Sequence, residues 1–133
     1  MADTNHPPLL EQCTPRRLLL VDDVAEVRAD LRTLLGLAGG IEIVGEAANG
    51  VEAVQQVAAL PPDVVLIDLE MPLMNGYDAT RKIKMHAPDC RVIALSIHSY
   101  PAAQAQAQAA GADAFIIKGA SLASLVQEIL KKD

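Results

Sequence analysis

The chain has 133 residues, 51% hydrophobic and 21% charged, a composition that fits one globular domain and excludes a disordered chain. A formal net charge of −6 opposes binding to a phosphate backbone, which needs clustered Lys and Arg. With two Tyr, one Phe and no Trp there is little surface on which to stack a base or a flavin, so the core must be built from Val, Leu, Ile and Ala.

Residues 1–15, MADTNHPPLLEQCTP, are polar, Pro-rich and aperiodic, and read as a flexible leader to one domain over 16–133. RLLLVDD is a short apolar strand. The next segment, VAEVRADLRTLLGLAG, places Val24, Val27, Leu31, Leu34 and Leu35 on one helical face, and Asp23 with Glu26 forms a capping box at its start. IEIVGEA is a second strand, followed by the helix GVEAVQQVAAL, which Asn49 caps and Pro61-Pro62 stops. VVLID is the third strand, and after the turn Met-Pro-Leu-Met-Asn-Gly a helix runs from about Tyr77 to His86. In that helix Arg81, Lys82 and Lys84 read as a solvated face. RVIALS is the fourth strand, PAAQAQAQAAGA a helix with Pro101 near its start, and AFIIK the fifth strand. Ser121 caps the last helix, LASLVQEILKK, with Leu122, Leu125, Val126, Ile129 and Leu130 in a stripe. Cys13 and Cys90 match no zinc or redox spacing and are expected as free thiols. With no secretory signal pattern and no apolar run near 18 residues, a soluble cytoplasmic protein is expected.

Nearly continuous apolar strands alternating with helices imply a parallel sheet covered on both faces. The fold expected is α/β, a flavodoxin-like (βα)5 three-layer sandwich of strand order 2-1-3-4-5. Ligands in such sheets bind beyond the carboxyl ends of the strands, where the order reverses, between strands one and three. Strand one ends in Asp22-Asp23, strand three in Asp68, strand four in Ser96 and strand five in Lys118. Loop residues of these types are common singly, but solvated loops give no reason for the set to recur at one edge. Two carboxylates about 4 Å apart repel by roughly 4 kcal/mol at an effective dielectric near 20, so a cation is required. Hard oxygen donors suit Mg²⁺, and Lys118 adds a movable positive charge. A divalent ion and an ammonium beside one carboxylate can spread the charge of a transferring phosphoryl group. Asp68 is then the nucleophile, presented rather than buried, with Asp22 and Asp23 holding the metal. Ser96 and Lys118 would contact phosphoryl oxygens. In a solvent-open cluster, Mg²⁺ is expected to bind weakly without phosphate.

LLLVDD, VVLIDLEMPLMNGYDA, VIALS and AFIIK together resemble the receiver domain of two-component response regulators over essentially all of 16–133. The most specific part is Asp-x-x-Met-Pro-x-x-Asn-Gly, from Asp68 to Gly76. IIKGAS with AQAAGADAF is most similar to the nitrate-regulator, LuxR-like branch. The resemblance implies phosphorylation of Asp68 by a histidine kinase or phosphotransfer protein. It implies Mg²⁺ on Asp23, Asp68 and the backbone carbonyl of Glu70, with Asp22 acting through water. It also implies a switch in which Ser96 moves toward the phosphoryl group and Phe115 follows inward. The output is then transcription regulation through a DNA-binding domain that is not in these 133 residues. A stand-alone receiver acting by protein contact is the alternative, and a homodimer is compatible with both. Direct nucleic acid or membrane contact by this domain is not expected, nor is turnover of an external substrate.

Many receivers carry Pro after the lysine, often with a cis bond. Here Gly119 follows Lys118, and a cis bond before a non-proline would cost about 2.5–4 kcal/mol. His98 reads as a solvated rim residue, and Glu70 as a rim carboxylate that influences dephosphorylation. A haloacid-dehalogenase-like phosphohydrolase is the remote alternative. It is disfavoured because the candidate nucleophile ends strand three and Glu70 stands where a second Asp would be.

Overall fold

The computed structural model describes residues 14–71, 73–97 and 101–132. The leader up to Cys13, and His98, lie outside them. Five strands, β1 (Arg16–Val21), β2 (Ile41–Ala47), β3 (Val64–Asp68), β4 (Arg91–Ser96) and β5 (Ala114–Ile117), alternate with five helices. The helices are α1 (Ala25–Ala38), α2 (Gly50–Ala59), α3 (Gly76–His86), α4 (Pro101–Ala110) and α5 (Leu122–Leu130). All strand pairs are parallel, in the order β2-β1-β3-β4-β5, the flavodoxin-like arrangement expected.

Strand side chains alternate between two layers, as the period of two requires. Leu18, Leu20, Val64, Leu66, Ile93 and Leu95 pack under α1 and α5 with Leu35, Leu125 and Ile129. Leu19, Val21, Val65, Ile67 and Val92 face α2 and α3 with Ala53, Val57, Ala79 and Ile83. Because β3 and β4 are central and covered on both faces, every residue of each is buried. The third cover, α4, buries only Ala103, Ala107 and Ala110. Alanines contribute little apolar area, so α4 is held to the sheet by little apolar burial.

Helix starts follow local chemistry. Asn49 Oδ1 accepts from the Glu52 amide (2.9 Å), Asn75 Oδ1 from the Asp78 amide (2.9 Å) and Ser121 Oγ from the Ser124 amide (3.1 Å). The capping box expected at Asp23 and Glu26 does not form. Asp22 Oδ1 takes the Val24 amide instead (2.9 Å), and α1 begins after Val24 with no side-chain cap. The apolar stripes are narrower than expected: Leu35 alone is buried on α1, and Val24 and Leu34 are exposed. On α5, Leu125 and Ile129 are buried, while Leu122 and Leu130 sit at the margins of the stripe.

The basic segment of α3 is not simply solvated. Lys84 Nζ reaches the Cys90 carbonyl and Asp113 Oδ2, both at 2.7 Å, tying α3 to the amino edge of the sheet. Arg81 pairs with Asp78 one turn back, and Lys82 is exposed. Cys90 is a buried free thiol, and burial pushes it up to about 11, which leaves it unreactive. Among the described residues no helix is long and apolar enough to cross a membrane.

Candidate functional site at the carboxyl edge of the sheet

Parallel pairing aligns the carboxyl ends of the central strands. Val21 is level with Ile67 and Asp68 with Leu95, so the residues that leave β1, β3 and β4 meet at one rim. There one carboxylate oxygen each from Asp22, Asp23 and Asp68 lies within 4.8 Å of the other two. Lys118 continues from β5, where its amide donates to the Ser96 carbonyl (2.8 Å). Its ammonium lies over the notch, 3.1 Å from Asp68 Oδ2 and 3.4 Å from Asp22 Oδ2. Asp22, Asp23, Asp68 and Lys118 therefore converge.

Asp68 was expected to be presented to solvent. It is only 2% exposed, as is Asp22, whereas Asp23 is exposed. The reason is local. Gly76 donates to the Leu69 carbonyl (3.0 Å), closing a turn at the strand end, and the Lys118 ammonium lies 3.1 Å from Asp68 Oδ2. The notch is thus open on the Asp23 side, which also revises the solvent-open cluster read from sequence.

Burial pushes the Asp68 carboxyl above the usual carboxylate range, against the Glu70 amide, which donates to Oδ1 at 3.0 Å, and against Lys118. Burial opposes the charge on Lys118 as well, but the hydrogen bond and charge of Asp68, with those of Asp22, outweigh it and raise the ammonium. With a raised carboxyl, the native state holds a proton at Asp68 in a pH range where the unfolded chain has lost it. The stability contributed by Asp68 therefore falls as pH rises through that window. Asp68→Asn is expected to stabilise the domain at neutral pH, because it removes one of two buried carboxylates that share a single ammonium and leaves Lys118 paired with Asp22, and to remove this pH slope. Urea titrations of both proteins across the acid range measure it, and a destabilised Asn variant at neutral pH would contradict it.

Ser96 is fully buried and donates its hydroxyl to Glu70 Oε2 at 3.2 Å. This contact was not foreseen, because the two residues are 26 positions apart and meet only through the β3–β4 pairing. Phe115 is half-buried against Leu69, Ala94 and Ala107, with Tyr77 on the same cluster. Burial and the charge of Glu70 raise the Tyr77 phenol. Among the described residues no cis peptide occurs, so Lys118–Gly119 is trans, and Gly119 takes φ +97°, a conformation glycine adopts freely.

Two further features escaped the sequence. Arg28 of α1 donates to the Asp22 carbonyl (2.6 Å) and to Glu46 (2.9 Å), pinning the exit of β1 to α1 and β2. Gly76 has no room for a side chain: a Cβ there would lie 2.5 Å from the Asp68 carbonyl oxygen and from Leu69 Cα. The Asn-Gly pair marked a turn in the sequence but gave no sign of this close approach.

The donor set is all carboxylate, without His or Cys, and such hard oxygens suit Mg²⁺ better than softer metals.

Comparison with known proteins agrees with this geometry. The family model for the response regulator receiver domain matches residues 18–130. The response regulator GacA of Pseudomonas viridiflava is 40% identical over 116 residues, covering 85% of this chain and 53% of GacA. The chain therefore spans about half the length of this curated relative. A LuxR-family two-component response regulator from Aurantimonas sp. SI85-9A1 superposes with TM-score 0.81 at 34% identity, covering 85% of this chain and 81% of that one. A chain of the CheX-CheY-BeF3-Mg²⁺ complex from Borrelia burgdorferi gives TM-score 0.81 at 28% identity, covering 91% of both chains. The protein thus belongs to the response regulator receiver domain family of two-component signalling and resembles its LuxR-like branch.

Proposed function

We propose that the domain is a phosphorylation-dependent switch in which Asp68 accepts a phosphoryl group from a histidine kinase or phosphotransfer partner, with Mg²⁺ required. The reading is carried by the convergence of three carboxylates within 4.8 Å under an ammonium 3.1 Å from one of them. That a neighbour of this fold forms a complex with BeF3 and Mg²⁺ supports the reading.

In this reading an ionised Asp68 oxygen attacks phosphorus. An O–P bond forms, the bond from phosphorus to the donor's imidazole nitrogen breaks, and its electron pair leaves with that nitrogen. The carboxylate has no proton to lose. Burial makes the ionised Asp68 a more basic, stronger nucleophile than a solvated carboxylate, and the Lys118 ammonium 3.1 Å away works in favour of the ionised form. Lys118 neutralises one phosphoryl oxygen, and the Ser96 hydroxyl donates to another. Bound Mg²⁺ supplies further charge neutralisation, with Asp22, Asp23, Asp68 and the Glu70 carbonyl as the groups that would hold it. The chain acts as a signalling element, promoting only its own phosphorylation and dephosphorylation.

The surface change follows from the weak anchoring of α4. As Ser96 moves toward the phosphoryl group, Phe115 turns further inward, and α4 with β5 takes up the shift at little cost in buried area. The output is transcription regulation in the cytoplasm through a DNA-binding domain beyond these residues, in keeping with a relative about twice as long. A second reading, in which the receiver acts on a protein partner, is favoured by the neighbour found in the CheX-CheY complex.

Incubation with acetyl phosphate and Mg²⁺ tests the proposal. One phosphoryl group per chain is expected by intact mass, lost with EDTA and in Asp68→Asn. Sustained turnover of small phosphate esters would instead identify a phosphohydrolase.

A further inference from the structure

Ser96 has one hydroxyl proton, and in this structure Glu70 Oε2 receives it at 3.2 Å. The contact joins the rim to a buried group: Ser96 is fully buried, Glu70 is exposed, and the Glu70 amide is itself held by Asp68 Oδ1 at 3.0 Å. Resting on the phosphoryl-switch reading, we propose that Glu70 is a positioning residue that latches the Ser96 hydroxyl in the resting state. Its carboxylate and the phosphoryl oxygens on Asp68 compete for the same proton, and this competition sets how readily the domain switches.

One contact and two arguments from charge carry the inference. At 3.2 Å the bond is longer than the usual O–H···O separation of about 2.7–2.8 Å, so it holds the hydroxyl without making release prohibitive. An ionised carboxylate accepts hydrogen bonds and cannot donate one, so Glu70 gains nothing from an incoming phosphoryl group. The latch is also opened by the reaction itself. A phosphoryl group on Asp68, two residues from Glu70, repels the Glu70 carboxylate while offering Ser96 new acceptors, and both effects favour release. The charge of Glu70 reaches Tyr77, which shares a cluster with Phe115 and Ala107 of α4, so the movement of Glu70 is felt where the surface change is expected.

Two measurements test the latch. The first needs no phosphoryl chemistry: three-bond Hα–Hβ couplings of Ser96 in the metal-free protein report its χ1 rotamer. Couplings of a single rotamer, the one that faces Glu70, are expected in the native chain and a shifted rotamer distribution in Glu70→Ala; couplings unchanged in that variant overturn the proposal. The second is a double-mutant cycle on the beryllofluoride concentration that half-converts the domain in saturating Mg²⁺, followed by the Phe115 amide resonance. Glu70→Gln is expected to lower that midpoint about fivefold, the scale of a net hydrogen bond to a charged group of long geometry, and by less than twofold in a Ser96→Ala background. An equal shift in both backgrounds makes Glu70 a bulk electrostatic residue and sinks the latch. Should beryllofluoride fail to convert the native protein at all, the phosphoryl-switch reading falls, and the couplings alone still decide whether Glu70 holds Ser96.

Discussion

Lys118→Met is expected to destabilise the domain by about 2 kcal/mol at neutral pH and to slow phosphorylation of Asp68 by acetyl phosphate by about two orders of magnitude. Methionine keeps nearly the length of the stem and removes the ammonium, with its charge and its N–H donors. The ammonium contacts two carboxylates that are each about 2% exposed, Asp68 at 3.1 Å and Asp22 at 3.4 Å. Removing one partner of a buried pair commonly costs about 3–5 kcal/mol, and the smaller figure expected here reflects an ammonium that is itself 29% exposed. The sign with pH is definite. Lys118 is raised in the folded state, so its contribution is fully present below the ordinary lysine range and is lost as pH climbs through the folded value. On the acid side the deficit of the variant shrinks, because protonation of Asp68 relieves the same repulsion. Denaturant titrations at several pH values measure the first effect and single-turnover phosphorylation the second. A variant with native stability at neutral pH would show that the carboxylates do not depend on this cation.

Gly76→Ala should cost about 3 kcal/mol or more, beyond the usual range for overpacking, because the added methyl meets main chain on both sides. Its Cβ would fall 2.5 Å from the Asp68 carbonyl oxygen and 2.5 Å from Leu69 Cα, atoms that cannot rotate away. Relief requires moving α3 off the end of β3 and breaking the bond from the Gly76 amide to the Leu69 carbonyl. That movement also displaces the loop that buries Asp68, so phosphorylation should fall together with stability. Asn75→Ala, which removes only the cap on the Asp78 amide, should cost about 1 kcal/mol and leave phosphorylation near normal. Thermal unfolding and acetyl phosphate labelling of the two variants side by side separate the steric role of Gly76 from simple loss of helix stability. Equal losses in both would contradict it.

The sheet and its order were legible because each strand is a short, nearly unbroken run of branched aliphatics, set off by caps that act locally. Asn49 and Ser121 do what their sequence context indicated. The start of α1 was misread for a physical reason. Asp22 and Asp23 are equally plausible caps by composition, and only the fold turns Asp22 onto the Val24 amide and leaves Asp23 in the acidic notch. Asp68, Asp22, Asp23, Ser96 and Lys118 could be assigned to one rim from parallel topology alone. Their environments could not, because the burial of Asp68 depends on a loop folding back over Gly76 and on Lys118 arriving from 50 residues away in sequence. The Ser96–Glu70 bond and the Arg28 contact to the Asp22 carbonyl are likewise long-range pairings with no local pattern.

The central claim is that phosphoryl transfer ends on one carboxylate at this rim. Borohydride reduction of the acetyl phosphate-treated, Mg²⁺-loaded protein, followed by peptide mass mapping, reads it directly, because an aspartyl phosphate is reduced to homoserine where it formed. The account predicts homoserine at position 68, with Asp22 and Asp23 unchanged. Homoserine at either of those positions, or none at all from protein that has demonstrably gained phosphate, would contradict it.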